Sequence, residues 1–225
     1  MGCKLDFAWL SDPLLQYALY LSGIFFAGIL ACIGLISYKF QAYKRHQVNQ
    51  AQVIHLLKSY LSEEQAHPHR IDELNIHIHQ YPIDSCYAIV RVLENYPTSA
   101  HLQLKSLDLE YAIDQTLGSR FQKNRAVAIE AIGLFQLQSH RSKILLYLED
   151  PQFSSFAAEA FIRIEGLAGI EPILRCYQKG LLTISQTLTA LVQLSPANLK
   201  ALFLPNSSVA IPLELIRYLK PHESN

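Results

Sequence analysis

Four histidines stand close together in this chain. His67, His69, His77 and His79 form two neighbouring His-x-His pairs. Imidazole suits zinc, nickel and copper, so these four are the candidates for a metal site. His67-Pro68-His69 lies in the polar stretch SEEQAHPHR, which reads as a loop. His77 and His79 bracket Ile78 in a short segment ahead of Tyr81-Pro82. No cysteine or clear carboxylate completes a ligand set, and solvated surface histidines are the plainer reading. The expectation is no metal and no cofactor.

Other chemistry fares no better. Asp72-Glu73 and Glu149-Asp150 are adjacent pairs, without the opposed placement that general acid–base catalysis requires. No Gly-x-Ser-x-Gly, P-loop or glycine-rich nucleotide turn is present. The four cysteines, Cys3, Cys32, Cys86 and Cys176, are far apart and form no CxxC pair. They make neither a disulfide framework nor a zinc site and read as free thiols, Cys86 and Cys176 as small packing residues on helices. The chain is expected not to be an enzyme.

The elements that carry these residues begin with a membrane segment. Half of the 225 residues are hydrophobic, and no residue from Pro13 to Tyr38 is charged. About 20 apolar residues cross a bilayer as a helix, so residues 13–38 are predicted to span it, with room for tilt. Trp9, Tyr17 and Tyr20 mark one interface, and Tyr38, Phe40 and Tyr43 the other. Lys39, Lys44 and Arg45 come directly after the run. The positive-inside rule therefore predicts an uncleaved anchor with its N-terminus outside and its C-terminal side cytoplasmic. A cleaved signal peptide would put the basic cluster first. Ile29-Leu30-Ala31-Cys32 gives a rival reading as a lipidated Cys32, which would place the rest of the chain outside the cytoplasm. The residues after Cys32 stay apolar, which argues against it. Met1-Gly2-Cys3 is a weak myristoylation match, because Asp6 occupies the Ser/Thr position. Gly23, Ala27 and Ala31 form a small-residue stripe that would let two such helices pack closely, a route to self-association.

Charge excludes one partner class. Nineteen basic residues balance nineteen acidic ones, and beyond Arg45 there are 15 basic and 17 acidic residues. Binding a nucleic-acid duplex needs a basic excess to displace phosphate counterions, so none is expected. Arg141, Lys143, Arg163, Arg175 and Lys179 are candidate surface cations, although charges on such surfaces are usually just solvated.

Past Phe40 the pattern stays helical. Val53, Leu56, Leu57 and Leu61 fall at helical spacing, either on a stalk continuing from the membrane or on the first helix of a domain. From Arg120 a repeat emerges. Ala128, Ala131, Ile132 and Phe135 form one buried-face stripe. It returns as Ala157, Ala160, Phe161 and Ile164, and once more as Thr187, Ala190, Leu191 and Leu194. A second set follows the same period: Ile144, Leu145 and Leu148, then Ile173, Leu174 and Tyr177, then Phe203 and Leu204. The alanines are expected where neighbouring helix pairs stack closely. Asp150-Pro151 and Ser195-Pro196 read as helix N-caps followed by proline. Gly166 and Gly169 bracket a short turn, and Gly180 sits where a helix should stop.

The segment LEDPQFSSFAAEAFIRIEGLAGIEPILRCY resembles a HEAT repeat of the short kind. The matching features are Asp150-Pro151, Ala157 to Ala160, Gly166, and Ile170-Ile173-Leu174. The likeness runs from about Arg120 to Leu204, with Ala88, Ile89 and Val92 marking an earlier first helix and Leu213 to Leu219 a weaker continuation. Arg125 fills the arginine position common early in the family's first helix, whereas Ser154 stands there in the next repeat. The resemblance implies an all-α chain: a transmembrane helix followed by an α-solenoid of HEAT-like hairpins. The expected organisation is a short segment 1–12, the membrane helix 13–38, a basic flank and helical stalk 39–65, and the repeat domain 66–225. The core alanines would be Ala128, Ala131, Ala157, Ala160 and Ala190. Such arrays generally hold other proteins. The implied function is a non-catalytic scaffold at the cytoplasmic face of a bacterial inner membrane. Its partner would be a membrane-associated protein, such as a membrane enzyme or a polysaccharide system. Alternatives are an envelope-facing binding module and, since related repeats occur in bilin lyases and a DNA-repair glycosylase class, a lyase-like or metal-dependent enzyme.

Overall fold

The computed structural model describes residues 13–62, 68–93, 104, 107–201 and 211–219. These residues form helices joined by turns, with no strand among them. The chain divides into two compact units, Met1–Val48 and Asn49–Asn225.

The first unit contains most of α1 (Pro13–Ser62). This helix is long and apolar enough to cross a membrane, and none of its apolar window is buried by protein. Leu14, Phe25, Leu35 and Ile36 are all more than half exposed. An apolar surface that continues around a whole helix is not the amphipathic pattern of a water-facing helix. The helix is a candidate membrane span. Gly23, Ala27 and Ala31 lie exposed along it, and nothing approaches within 4 Å of a β-carbon built on Gly23.

The second unit starts at Asn49, earlier than the boundary at 66 expected from sequence. The reason is the stripe on the last turns of α1: Val53, Leu57 and Tyr60 are buried in the unit's hydrophobic core. Residues 49–62 therefore belong to the domain and are not a free stalk. Polar contacts fix them there. Arg70 donates to the Ser59 hydroxyl. Asn49 and Gln50 donate to the buried Asp84 carboxylate at 3.1 and 3.4 Å.

The remaining helices are α2 (Pro68–Gln80), α3 (Pro82–Leu93), α4 (Leu109–Leu117), α5 (Gln122–Leu134), α6 (Arg141–Leu148), α7 (Ser154–Glu165), α8 (Ile170–Gln178), α9 (Ile184–Val192), α10 (Pro196–Ala201) and α11 (Leu213–Leu219). Alternate helices pack on one another: α3 on α5, α5 on α7, α7 on α9. The helices between them flank this row, with α4 against α3 and α5, α6 against α7, and α8 against α7 and α9. Every position of the recurring stripe is buried, from Ala128 through Leu194. Ser85, Ala88, Ile89 and Val92 bury the same i, i+3, i+4, i+7 face of α3. Of the second set, Ile144, Leu148, Ile173 and Leu174 are buried and Leu145 and Tyr177 partly so, whereas Phe203 and Leu204 lie outside the described residues.

Polar links recur at the same spacing. Gln122 pairs with Gln152, Arg163 with Gln193 and Lys179 with Glu149, each 30 residues apart. Lys143 pairs with Asp114, and Ser139 with Glu110, one residue closer in sequence. Each helix pair is thus tied to the next through both its apolar face and its polar rim.

Helix ends follow local chemistry, with one departure from expectation. Asp150-Pro151 does not cap α7. The Asp150 carboxylate accepts from the Gln152 N–H at 2.9 Å, making a turn, and the helix starts at Ser154. Side-chain capture of the backbone two residues on is the turn-forming habit of Asp. Ser195 does act as expected, accepting from the Asn198 N–H at 3.2 Å ahead of Pro196. Gly180 closes α8 at φ +75°, with Leu181 N–H bonded to Cys176 C=O and Gly180 N–H to Tyr177 C=O, the paired bonds of a left-handed helix stop. Thr183 and Gln186 form a reciprocal capping box on α9. Thr183→Ala is expected to lower stability by about 1 kcal/mol, measured as a shift in the urea midpoint at unchanged slope.

Candidate functional site

A groove of about 430 Å³ lies where α4 meets the turn between α5 and α6. Its floor is apolar, built from Leu107, Leu109, Phe135 and Leu137, and its rim carries Glu110 and Ser139. Local sequence explains the shape. α5 ends at Leu134, and Gln136 then takes φ +52°, the left-handed conformation that closes the helix. Leu137 N–H reaches Ile132 C=O, and Gln136 N–H reaches Gly133 C=O. A non-glycine residue costs about 1–2 kcal/mol in that conformation. A short 3-10 turn, Gln138–His140, then leads into α6.

A polar network anchors the groove's wall. His140 is buried, with Nε2 3.1 Å from Asp114 Oδ1 and Nδ1 3.0 Å from the Ser139 hydroxyl. Lys143 donates to the same Asp114 oxygen at 2.7 Å. The Lys143 hydrogen bond, then that of His140, holds the Asp114 carboxyl below its ordinary value despite partial desolvation. An Asp whose folded-state value is depressed adds stability above its ordinary range, and that contribution disappears as pH falls through the depressed value. Asp114→Asn is therefore expected to destabilise the protein at neutral pH, and its gap to the wild type should close once acid protonates the carboxyl. Denaturant midpoints at neutral and strongly acid pH check this.

Asp114, His140 and Ser139 bring together the residue types of acyl-transfer chemistry. The Ser139 hydroxyl also donates to Glu110 Oε1 at 3.2 Å.

A wider, shallower depression of about 680 Å³ is lined by Asp72, Asn75, Ile76, His79, Gln80 and Asp108, the last standing in sequence between Leu107 and Leu109 of the groove. His79 Nε2 lies 2.9 Å from Asp108 Oδ2, and its ring lies 4.3 Å from that of Tyr111. His69, His77 and His79 all sit on α2, so His69 is helical and not in a loop. His77 stacks on Tyr81. His67 lies outside the described residues. Among the described residues no group of three His, Cys, Asp or Glu side chains converges to hold a metal. Cys86 and Cys176 are buried free thiols, and burial pushes the Cys86 thiol up to about 12.

Each of the five candidate cations has a partner within the chain, four of them on the exposed surface. Arg141 pairs with Glu165, Lys143 with Asp114 and Lys179 with Glu149; Arg163 donates to Gln193, and Arg175 pairs with Glu171 along one helix turn. Sequence reading missed Gly133. A β-carbon there would lie 2.5 Å from Ala160 Cα, so α5 and α7 touch backbone to backbone. It also missed Gln136, whose left-handed turn carries no residue-type signal.

The fold and its surface define an all-helical protein with one candidate membrane span and a layered helical unit beyond it. No protein-family model, curated protein or solved structure matches the chain.

Proposed function

We propose that this protein is a membrane-anchored helical-repeat scaffold, related in architecture to HEAT arrays, that binds a membrane-associated protein partner without catalysing a reaction. The repeat domain would lie on the cytoplasmic side of a bacterial inner membrane. The observation that supports this reading most is the periodic burial: one stripe, three times over, with alternate helices packed in a row. Arrays of this kind are stabilised by nearest-neighbour contacts and leave a long surface free for binding. The exposed apolar length of α1 supports the anchor, with Lys39, Lys44 and Arg45 favouring the cytoplasmic side for the chain beyond them. Tethering restricts the array to one surface and so raises its effective concentration for partners held there.

Affinity purification of the full chain from mild detergent tests the proposal. A stoichiometric partner is expected, held by full-length protein and lost when residues 49–225 are deleted. Recovery of the chain alone, or of partners equally well with the anchor segment by itself, would contradict it. Metal analysis of the same sample addresses the metal-enzyme alternative, which predicts stoichiometric metal.

A further inference from the structure

We infer that the groove between α4 and the α5–α6 turn seats a lysine- or arginine-bearing segment of the partner, such as the basic cytoplasmic flank of another membrane protein; this rests on the scaffold reading. The groove is apolar at its floor and anionic at its rim. Leu107, Leu109, Phe135 and Leu137 offer a surface for an aliphatic stem, and Glu110 stands at the edge for its charged head. Lysine and arginine side chains bury their stems and keep their heads at a polar boundary in this way. Among the described residues, no lysine or arginine lines either this groove or the depression beside it.

Arg141 and Lys143, on the helix that leaves the groove, are committed elsewhere: Arg141 to Glu165 and Lys143 to Asp114, each at 2.7 Å. Among the described residues Glu110 meets a hydroxyl, from Ser139 at 3.2 Å, and no cation. An ionised carboxylate has about four acceptor sites, so most of its capacity is open to solvent. The depression that Asp108 lines also carries Asp72, with His79 beside Asp108. Exposed Ile76 and Tyr111 add apolar contact there. An acidic occupant would face Glu110 and Asp72 with no lysine or arginine among the residues lining either depression. A basic one gains charge-assisted hydrogen bonds and complementary steering. Membrane proteins concentrate lysine and arginine on their cytoplasmic flanks, where a tethered cytoplasmic domain would meet them.

The test uses the full chain in nanodiscs of zwitterionic lipid, which do not themselves attract basic peptides. Three fluorescent peptides of equal length serve as probes, alternating Leu with Lys, with Ser or with Glu. The Leu-Lys peptide is expected to bind at least tenfold tighter than the other two, with affinity falling as salt screens the charges. Glu110→Gln should weaken that binding about fivefold, and Asp72→Asn by a smaller factor. Glu149→Gln, on a separate inter-helix pair, should leave it unchanged. Circular dichroism confirms that each variant is folded. Equal binding of the three wild-type peptides, or undiminished binding to both folded Glu110→Gln and Asp72→Asn, overturns the inference. The scaffold reading is judged separately: a native partner that co-purifies equally with Glu110→Lys and wild-type chain removes the groove assignment and leaves the scaffold intact.

Discussion

Replacing Phe161 with alanine is expected to lower the stability of the 49–225 unit by about 3–5 kcal/mol. Phe161 is 1% exposed and belongs to the central stripe of α7. Its ring underlies two connections. The Arg141 guanidinium sits 5.8 Å from the ring centroid. A β-carbon on Gly169 would lie 3.3 Å from the ring, so the turn into α8 rests directly on it. Truncation removes most of a phenyl group's transfer energy and leaves a cavity that flanking helices fill only in part. Because α7 packs on α5, α6, α8 and α9, the defect loosens contacts to four neighbouring helices at once. Domains of this size have total stabilities of about 5–15 kcal/mol, so a large share of the unit's stability goes with that ring. Urea denaturation followed by circular dichroism measures the loss. Val192→Ala, at a position 63% exposed, is the comparison and should change stability by less than about 0.5 kcal/mol. A Phe161→Ala change as small as that would mean the stripe is not the core of the unit.

Gly133→Ala tests the close helix approach. Two effects oppose each other. Alanine favours helix over glycine by about 1 kcal/mol. Against this, the new methyl would lie 2.5 Å from Ala160 Cα and 2.8 Å from its Cβ. The nearer atom is backbone, so no side-chain rotation relieves the overlap. α5 and α7 must move apart, loosening contacts along a densely packed interface, where overpacking costs about 1–3 kcal/mol. The clash wins, and net destabilisation of about 1–2 kcal/mol is expected. Adding Ala160→Gly removes the farther contact alone, so it should restore part of the loss and not all of it. Stabilisation by Gly133→Ala, again read from urea midpoints, would show that the two helices do not touch backbone to backbone.

The repeat was legible because burial selects residue type at every third or fourth position, and a stripe that returns at a fixed period carries its own register. Gly133 was not legible, because a lone glycine within a helix reads as weak propensity. Its reason lies on the next helix pair, at Ala160. Asp150-Pro151 misled because the same Asp chemistry serves N-caps and turns alike, and the chain uses the turn. Residues 53–61 could not be assigned from pattern alone, since a stalk and a first domain helix show the same apolar spacing. The groove at Glu110 left no motif: its floor comes from residues on either side of α4 and α5, brought together by packing. One signal was readable and overlooked. Lys143 with Asp114 and Lys179 with Glu149 are opposite charges one repeat apart, which marks them as links between helix pairs and not as free cations.

If α1 anchors the helical unit to the cytoplasmic face of a membrane, the C-terminus lies in the cytoplasm. The most direct test fuses a reporter active only in the cytoplasm after Asn225, paired with one active only outside. Activity of the cytoplasmic reporter, with the external one silent, is the predicted result. The reverse would contradict the orientation drawn from Lys39, Lys44 and Arg45, and would place residues 49–225 on the outer side, as the lipidated Cys32 reading requires.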